Sequence, residues 1–319
     1  MDNHNLITVE QLRKYYRIRD KLGKKTTLRA LDGVSFDIRR GETLGIVGES
    51  GCGKTTLGRT ILRLVEPDSG SVVYDGEDIT NVNMRSYRSK MQIIFQDLYG
   101  CLDPRFRVKD IIAEGLRVNK PEYSAAQRMD RVLALLDSVG LSNNSLNRYP
   151  HEFSGGQQQR IGIARALAVE PEFIVCDEPV SALDVSYQAQ IINLLIELQQ
   201  KHGLTYLFIS HDLSVVRHIC DRIGVMYLGK MVECGASEEV ILNPAHPYTK
   251  ALLNAIPVPD PKISRARERK PLNEYADFNV PDSGCRYCSL CEHATPKCFE
   301  AEPEPKETAP GHMCACHIV

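Results

Sequence analysis

No apolar run in this sequence approaches the roughly 20 residues needed to cross a bilayer. The longest, such as Ile191 to Leu195, fall far short of it. An excess of either charge is also missing: 39 basic residues meet 41 acidic ones, for a formal net charge of -2. That excludes a global basic field drawing the chain to nucleic acid or anionic lipid and leaves only the option of a local patch. The opening residues lack a basic stretch followed by an apolar one, so no secretory signal is expected. These absences place the chain in the cytosol, and they leave docking onto a membrane partner open.

What is present suits a sizeable core. The 319 residues are enough for one large domain or two ordinary ones, with 43% apolar and 25% charged residues. Residues 6–18 and 33–38 read as short strands, and Thr43–Val47 as an apolar strand. Lys54–Leu64 follows as a helix that Pro67 and Gly70 stop. Further strands are expected at 71–74, 91–95, 173–176 and 205–209, with a helical period at 188–198. From about 106 to 169 the pattern is helical, in segments 108–116, 125–139 and 154–169. A helical insert between two sets of strands implies an α/β core carrying a helical arm. Beyond Gly235 the chain becomes proline-rich, then charged, then cysteine-rich. We place a boundary near 243, a linker around 258–282, and an extended, unfolded stretch at 301–306.

The sharpest motif is Gly48-Glu49-Ser50-Gly51-Cys52-Gly53-Lys54-Thr55, followed by Thr56, between an apolar strand and a helix. Its glycines let backbone N–H groups turn inward around phosphate oxygens, and the helix adds its positive end. Lys54 is expected to bridge the β- and γ-phosphates of ATP, and the Thr55 hydroxyl to ligate Mg2+. Cys52 sits where size is limiting; we read it as a small side chain rather than a redox switch, although helix N-termini lower thiol pKa. A second apolar strand ends in Asp177-Glu178-Pro179. Asp177 is expected to hold Mg2+, and Glu178, one residue further round the turn, to polarise the attacking water.

Phe153-Ser154-Gly155-Gly156-Gln157-Gln158-Gln159-Arg160 resembles the signature sequence of ABC transporter ATPases, which generic P-loop proteins lack. Other landmarks follow in the family's order. Gln96 looks like the Q-loop glutamine that touches Mg2+ or the water, Ser181-Ala182-Leu183-Asp184 like the D-loop, and His211 like the switch histidine that bonds the γ-phosphate. Tyr16 is similar to the aromatic that stacks on adenine, with Tyr15 the alternative. A Ser-Gly-Gly step opening a helix is itself a second anion site, for which one protomer has no need. In the family two such domains lie head to tail, so Ser154, Gly155, Gly156 and Gln157 would complete a partner's site, with Asp184 of the D-loop also among the nucleotide-binding residues. The signature opens with Phe153 where Leu is commoner, a position that packs an apolar side chain behind the loop. The resemblance thus implies an α/β fold: a P-loop NTPase of ABC type, at 1–242, with a helical subdomain at about 106–150 and a small cysteine-rich C-terminal extension at 243–319.

Two further segments narrow the resemblance. Asn243-Pro244-Ala245-His246-Pro247-Tyr248-Thr249-Lys250-Ala251-Leu252-Leu253 and the run from Gln96 to Arg105 look like those of ATPases from oligopeptide, dipeptide and nickel importers, whose members more often carry Asn at the place of Asp103. The resemblance implies a peripheral ATPase on the cytoplasmic face of the membrane. Its partners would be a second ATPase chain, commonly a different sister, two permease subunits, and indirectly an external solute-binding protein. Nucleic acid is not expected. A soluble ABC ATPase of DNA repair or translation, or an iron-sulfur redox protein with a regulatory nucleotide site, are the other classes; the first usually shows a long coiled-coil insertion or a second ATPase domain, and neither is here.

Six of the 11 cysteines lie between Cys285 and Cys316. In a reducing compartment such a cluster suits a metal better than disulfides. Cys285, Cys291, Cys298 and Cys316 resemble the ligands of a 4Fe-4S cluster in some peptide-importer ATPases, with Cys288 and Cys314 as extras. Four thiolates suit Zn2+ as well, so spacing leaves both metals open.

Overall fold

The computed structural model describes residues 4–19, 23, 25–255 and 283–319; the linker expected around 258–282 lies outside them. Two sheets share the chain. The smaller is antiparallel and holds β1 (Asn5–Arg19), β2 (Lys25–Arg39), β4 (Ser69–Tyr74) and β5 (Glu77–Asp78) in the order β2-β1-β4-β5. Its first two strands are longer than the two short ones expected. Lys25–Asp32, whose charges hide any alternation, is held by pairing with the outer half of β1.

The larger sheet has eight strands. Its parallel part contains β3 (Thr43–Val47), β6 (Met91–Ile94), β7 (Phe173–Asp177), β8 (Thr205–Ile209) and β9 (Arg222–Tyr227), in the order β9-β3-β8-β7-β6. β3, β7 and β8 are buried along their whole length, as continuous apolar runs covered on both faces must be. The sheet is covered by α1 (Lys54–Ile61), α5 (Gly155–Leu167), α6 (Val185–His202) and α7 (Leu213–Ile219). The β3 strand is flanked by β8 and β9, so the chain departs from it in two directions. Such a switch point opens a crevice at the carboxyl ends of the strands. The glycine loop leaves β3 there, and residues 96, 178 and 211 follow β6, β7 and β8.

The helical arm is built from α2 (Leu98–Cys101), α3 (Val108–Asn119) and α4 (Ala125–Ser138) packed on α5. Val108, Ile112, Leu116, Val132, Leu136 and Ile161 form its interior. Ser124 and Gln127 close a capping box at the start of α4, which fixes where the second arm helix begins.

The C-terminal part departs from expectation. β10 (Lys230–Ala236) pairs antiparallel with β9, and α8 (Ser237–Leu242) and α9 (Pro247–Ala255) follow. Past a short helix, α10 (Pro296–Glu300), the hairpin β11 (Pro305–Ala309) and β12 (His312–Ala315) extends the large sheet beyond β10. The stretch expected to be unfolded at 301–306 therefore ends inside a strand. Local composition, rich in Pro and Glu, concealed it, because β11 is specified by its partner strand rather than by its own apolar residues. No helix of the described residues is long and apolar enough to cross a membrane.

Candidate functional site

The glycine loop owes its path to two positions without side chains. Gly48 has φ 151°, and a Cβ there would lie 2.2 Å from the Met226 carbonyl oxygen. Gly53 has φ 110°, and its Cβ would lie 2.1 Å from the Ala30 carbonyl oxygen. Gly51 also has a positive φ but faces open space. Lys54, buried, turns its ammonium back into the loop, donating to the Gly48 oxygen at 2.7 Å and the Glu49 oxygen at 2.8 Å. No side chain caps the first turn of α1, and no acidic residue sits in it. Its N–H groups are left to face the loop, the arrangement that suits an anion. Ser50 is exposed, and Thr56 accepts the Thr60 hydroxyl on its carbonyl. Cys52 is buried, and burial pushes its thiol above the ordinary range.

The acidic strand end meets this loop. The Thr55 hydroxyl donates to Asp177 Oδ1 at 2.9 Å. Burial raises the Asp177 carboxyl above its usual range, against the lowering effect of Thr55 and Arg59. A bound dication would supply the charge that this buried carboxylate lacks. Glu178 takes φ 46°, a strained setting for a residue with a side chain. That twist parts its carboxylate from the one before it. Glu178 Oε2 accepts from Gln96 Nε2 at 2.9 Å and lies 3.3 Å from His211 Nδ1. These three residues, with Asp97, Gly155, Ser181, Ala182 and Leu183, line one open cleft. Residues that follow β6 and β8 thus converge on the carboxylate that follows β7.

The signature residues take a different position. Ser154 caps α5 in a box with Gln157, its hydroxyl accepting from Gln157 N–H at 3.4 Å and its own N–H donating to Gln157 Oε1 at 3.1 Å. Ser154 and Gln157 are exposed, whereas a Cβ on Gly156 would lie 2.6 Å from the Tyr187 ring. Asp184, also exposed, caps α6 by accepting from Tyr187 N–H at 3.1 Å. Phe153 is buried beneath the Arg148 guanidinium, 4.6 Å from its ring centre. On β1 the two tyrosines differ in use. Tyr15 donates its hydroxyl to Asp32 at 2.5 Å, while Tyr16 is half-buried with the Lys14 ammonium 5.6 Å from its ring centre.

Three features were not foreseen from the sequence. Tyr248 of α9 accepts the Glu49 N–H at 3.0 Å, inside the glycine loop. Asp32 binds Arg286 of the tail as well as Tyr15, and Lys230 lies 3.6 Å away. Burial alone would raise the Asp32 carboxyl; Tyr15 and the cations around it hold it below its usual range. Glu233, wholly buried, accepts from the Ala245 and His246 N–H groups and meets His312 Nε2 at 2.7 Å. The run Asn243–Leu253 stood out in the sequence, but nothing in it showed which loop it would touch.

All 11 cysteines are free thiols. Those of the tail lie close enough to act on one another: Cys288, Cys316 and Cys298 all raise Cys285, which burial pushes up to about 11. Burial raises Cys291 and Cys314 also. Among the described residues, however, no group of three or more His, Cys, Asp or Glu is placed to hold a metal ion. The set Cys285, Cys291, Cys298 and Cys316 expected from the sequence is therefore gathered in one region without converging as ligands.

Comparison with known proteins gives the family. The family profile described as ABC transporter matches residues 31–181, and that described as oligopeptide/dipeptide transporter, C-terminal region, matches residues 232–298. The putative oligopeptide transport ATP-binding protein YkfD of Bacillus subtilis is 51% identical over 317 residues, covering 98% of this chain and 95% of that protein. The oligopeptide transport ATP-binding protein AppF of the same organism is 50% identical, covering 99% and 98%. Among solved structures, the dimeric bacterial ABC transporter cassette MJ0796 superposes with a TM-score of 0.65 at 29% identity, over 72% of this chain and 98% of that one. The chain belongs to the ABC transporter ATP-binding family, in its oligopeptide and dipeptide branch. It is a P-loop ATPase with a helical subdomain and a cysteine-containing C-terminal extension.

Proposed function

We propose that this chain is the ATP-hydrolysing subunit of an importer of oligopeptides or dipeptides, docked on the cytoplasmic face of the membrane. Its working partners are a second ATPase subunit, commonly a sister chain, two permease subunits and an external solute-binding protein. Support for the cargo class comes from the relatives named as oligopeptide transport proteins and from the match of the C-terminal region.

The observation that carries the mechanism is the convergence of Gln96 and His211 on Glu178, beside the Thr55–Asp177 bond. In the working site Lys54 leaves the loop carbonyls for the β- and γ-phosphates of ATP. Thr55 and Asp177 would hold Mg2+, with Gln96 at its edge; the metal supplies charge neutralisation on the triphosphate. Glu178 accepts the proton of the attacking water, His211 bonds the γ-phosphate, and Gln96 reports the state of the site to the helical arm. Tyr16, half-buried on β1, stacks on adenine. Ser154, Gly156 and Gln157, on the exposed end of α5, cap the triphosphate of the partner subunit, with Asp184 beside them. ATP then holds the two subunits together, and loss of the γ-phosphate releases them.

The test is Glu178→Gln. ATP affinity stays within about twofold while turnover falls at least about 100-fold, the loss expected when a positioned base is removed. Equal loss of binding and turnover in a folded variant overturns the assignment.

A 4Fe-4S cluster on Cys285, Cys291, Cys298 and Cys316, or zinc there, belongs to the same proposal and rests on the four-cysteine resemblance and the nearness of the thiols. Binding would require these thiols to ionise and close together. Anaerobic purification followed by iron, sulfide and zinc analysis decides it: sub-stoichiometric amounts of all three remove the metal.

A further inference from the structure

The bond between Tyr248 and the glycine loop is not used in the chemistry above, yet it acts on the residue that is. The Tyr248 hydroxyl accepts the N–H of Glu49 at 3.0 Å. That N–H belongs to the peptide whose carbonyl, on Gly48, accepts from the Lys54 ammonium at 2.7 Å. No peptide of the described chain is cis, and across a trans peptide the N–H and C=O point in opposite directions. Fixing one therefore aims the other. With Gly48 free of a side chain, φ of 151° alone does not hold this plane.

Tyr248 is itself fixed from several sides. Its backbone N–H donates to His246 Nδ1 at 3.0 Å, and the His246 N–H donates to the buried Glu233 carboxylate at 2.9 Å. Its ring, wholly buried, lies 4.5 Å from that of Tyr227 and 5.4 Å from that of Tyr287. Tyr287 meets Tyr227 edge-on at 5.3 Å and sits beside Arg286, which donates to the Leu228 carbonyl and binds Asp32. The cysteine-bearing segment thus supplies one wall of the pocket that holds the phenol.

We propose that Tyr248 is a positioning residue of the ATP site, whose hydroxyl sets the Gly48–Glu49 peptide and through it the place of Lys54, with Tyr287 of the cysteine-bearing segment bracing its ring. The C-terminal extension is on this account a structural part of the nucleotide site. The inference rests on the reading of Lys54 as the phosphate-binding lysine.

The experiment uses the full chain and two readouts. In Tyr248→Phe the ring packing survives and only the hydroxyl that accepts the Glu49 N–H is lost. Hydrogen–deuterium exchange of the peptide covering 43–55, measured without nucleotide, speeds up. The Kd and KM for Mg-ATP rise about fivefold, as expected for one hydrogen bond, with kcat within about twofold. Tyr287→Leu moves affinity in the same direction, and Tyr287→Phe leaves it unchanged. Unaltered loop exchange and ATP affinity in folded Tyr248→Phe overturn the proposal. If that variant does not fold, equal affinity in Tyr287→Leu and Tyr287→Phe overturns it instead. Failure of the unsubstituted chain to bind Mg-ATP would strike the Lys54 reading, whereas the nucleotide-free exchange result would still stand for Tyr248.

Discussion

The geometry of single residues decides most at the glycine loop. At Gly48 any side chain must displace the Met226 carbonyl, since the Cβ would lie 2.2 Å from it. Gly48→Ala should destabilise the fold by about 3 kcal/mol and weaken ATP binding at least about 100-fold, from combined strain and collision. Gly51→Ala meets nothing within 4 Å and carries only the left-handed backbone strain, about 1 kcal/mol. Thermal melts and ATP titrations of the pair check this; equal effects would show that backbone sign alone matters. At this scale the sequence was informative wherever a motif constrains chemistry through spacing. Gln96, Glu178 and His211 were expected to serve one reaction from positions 82 and 33 residues apart, and they lie together. Tyr248 was illegible because a single hydroxyl reaching a loop 199 residues away leaves no local pattern.

Elements carry the next layer. The α5 helix begins at Ser154 because its hydroxyl accepts the Gln157 N–H. Ser154→Ala should lower stability by about 1 kcal/mol, while Ser154→Asp, also a good cap, should preserve stability and impair ATP-driven pairing by charge. Loss of pairing in both with stability unchanged in both would detach the cap from the helix. His246, at the start of α9, has a second and pH-dependent role. Burial, with Lys250 nearby, lowers its pKa from 6.5 to about 4. The folded state therefore binds this proton less readily than the unfolded one. Stability is full above about pH 6.5 and is lost as pH falls toward 4, by about 3 kcal/mol. His246→Asn keeps an acceptor near the Nδ1 position and removes the titration, so its melting temperature should fall less over that window. Parallel curves for the two proteins would remove His246 as the cause. Strands buried on both faces, β3, β7 and β8, were legible as apolar runs. The outer half of β2 and the β11–β12 hairpin were not, because both depend on a partner strand instead of on their own apolar periodicity.

Across the whole molecule the tail is a continuation of the main sheet. β12 pairs with β10 at Glu233 and Cys234, and His312 meets the Glu233 carboxylate in the interior. Removing that histidine would leave a buried carboxylate with backbone partners only. His312→Ala should destabilise by about 3 kcal/mol, read by chemical denaturation, and a loss under about 0.5 kcal/mol would show that the pair does not support the sheet. The sequence suggested a boundary near 243, and composition does change there, but hydrogen bonds from the tail cross back to Asp32, Glu233 and Leu228. Long-range closure of this kind has no signature in local composition.

On the proposed mechanism, catalysis needs a second subunit to bring its signature end of α5 to the Glu178 cleft. The direct measurement is the mass in solution of Glu178→Gln mixed with its sister chain, with and without saturating Mg-ATP. A two-subunit particle that forms with Mg-ATP, and comes apart when ADP replaces it, is the predicted result. A particle of one subunit under both conditions, in protein that binds ATP, would contradict the account.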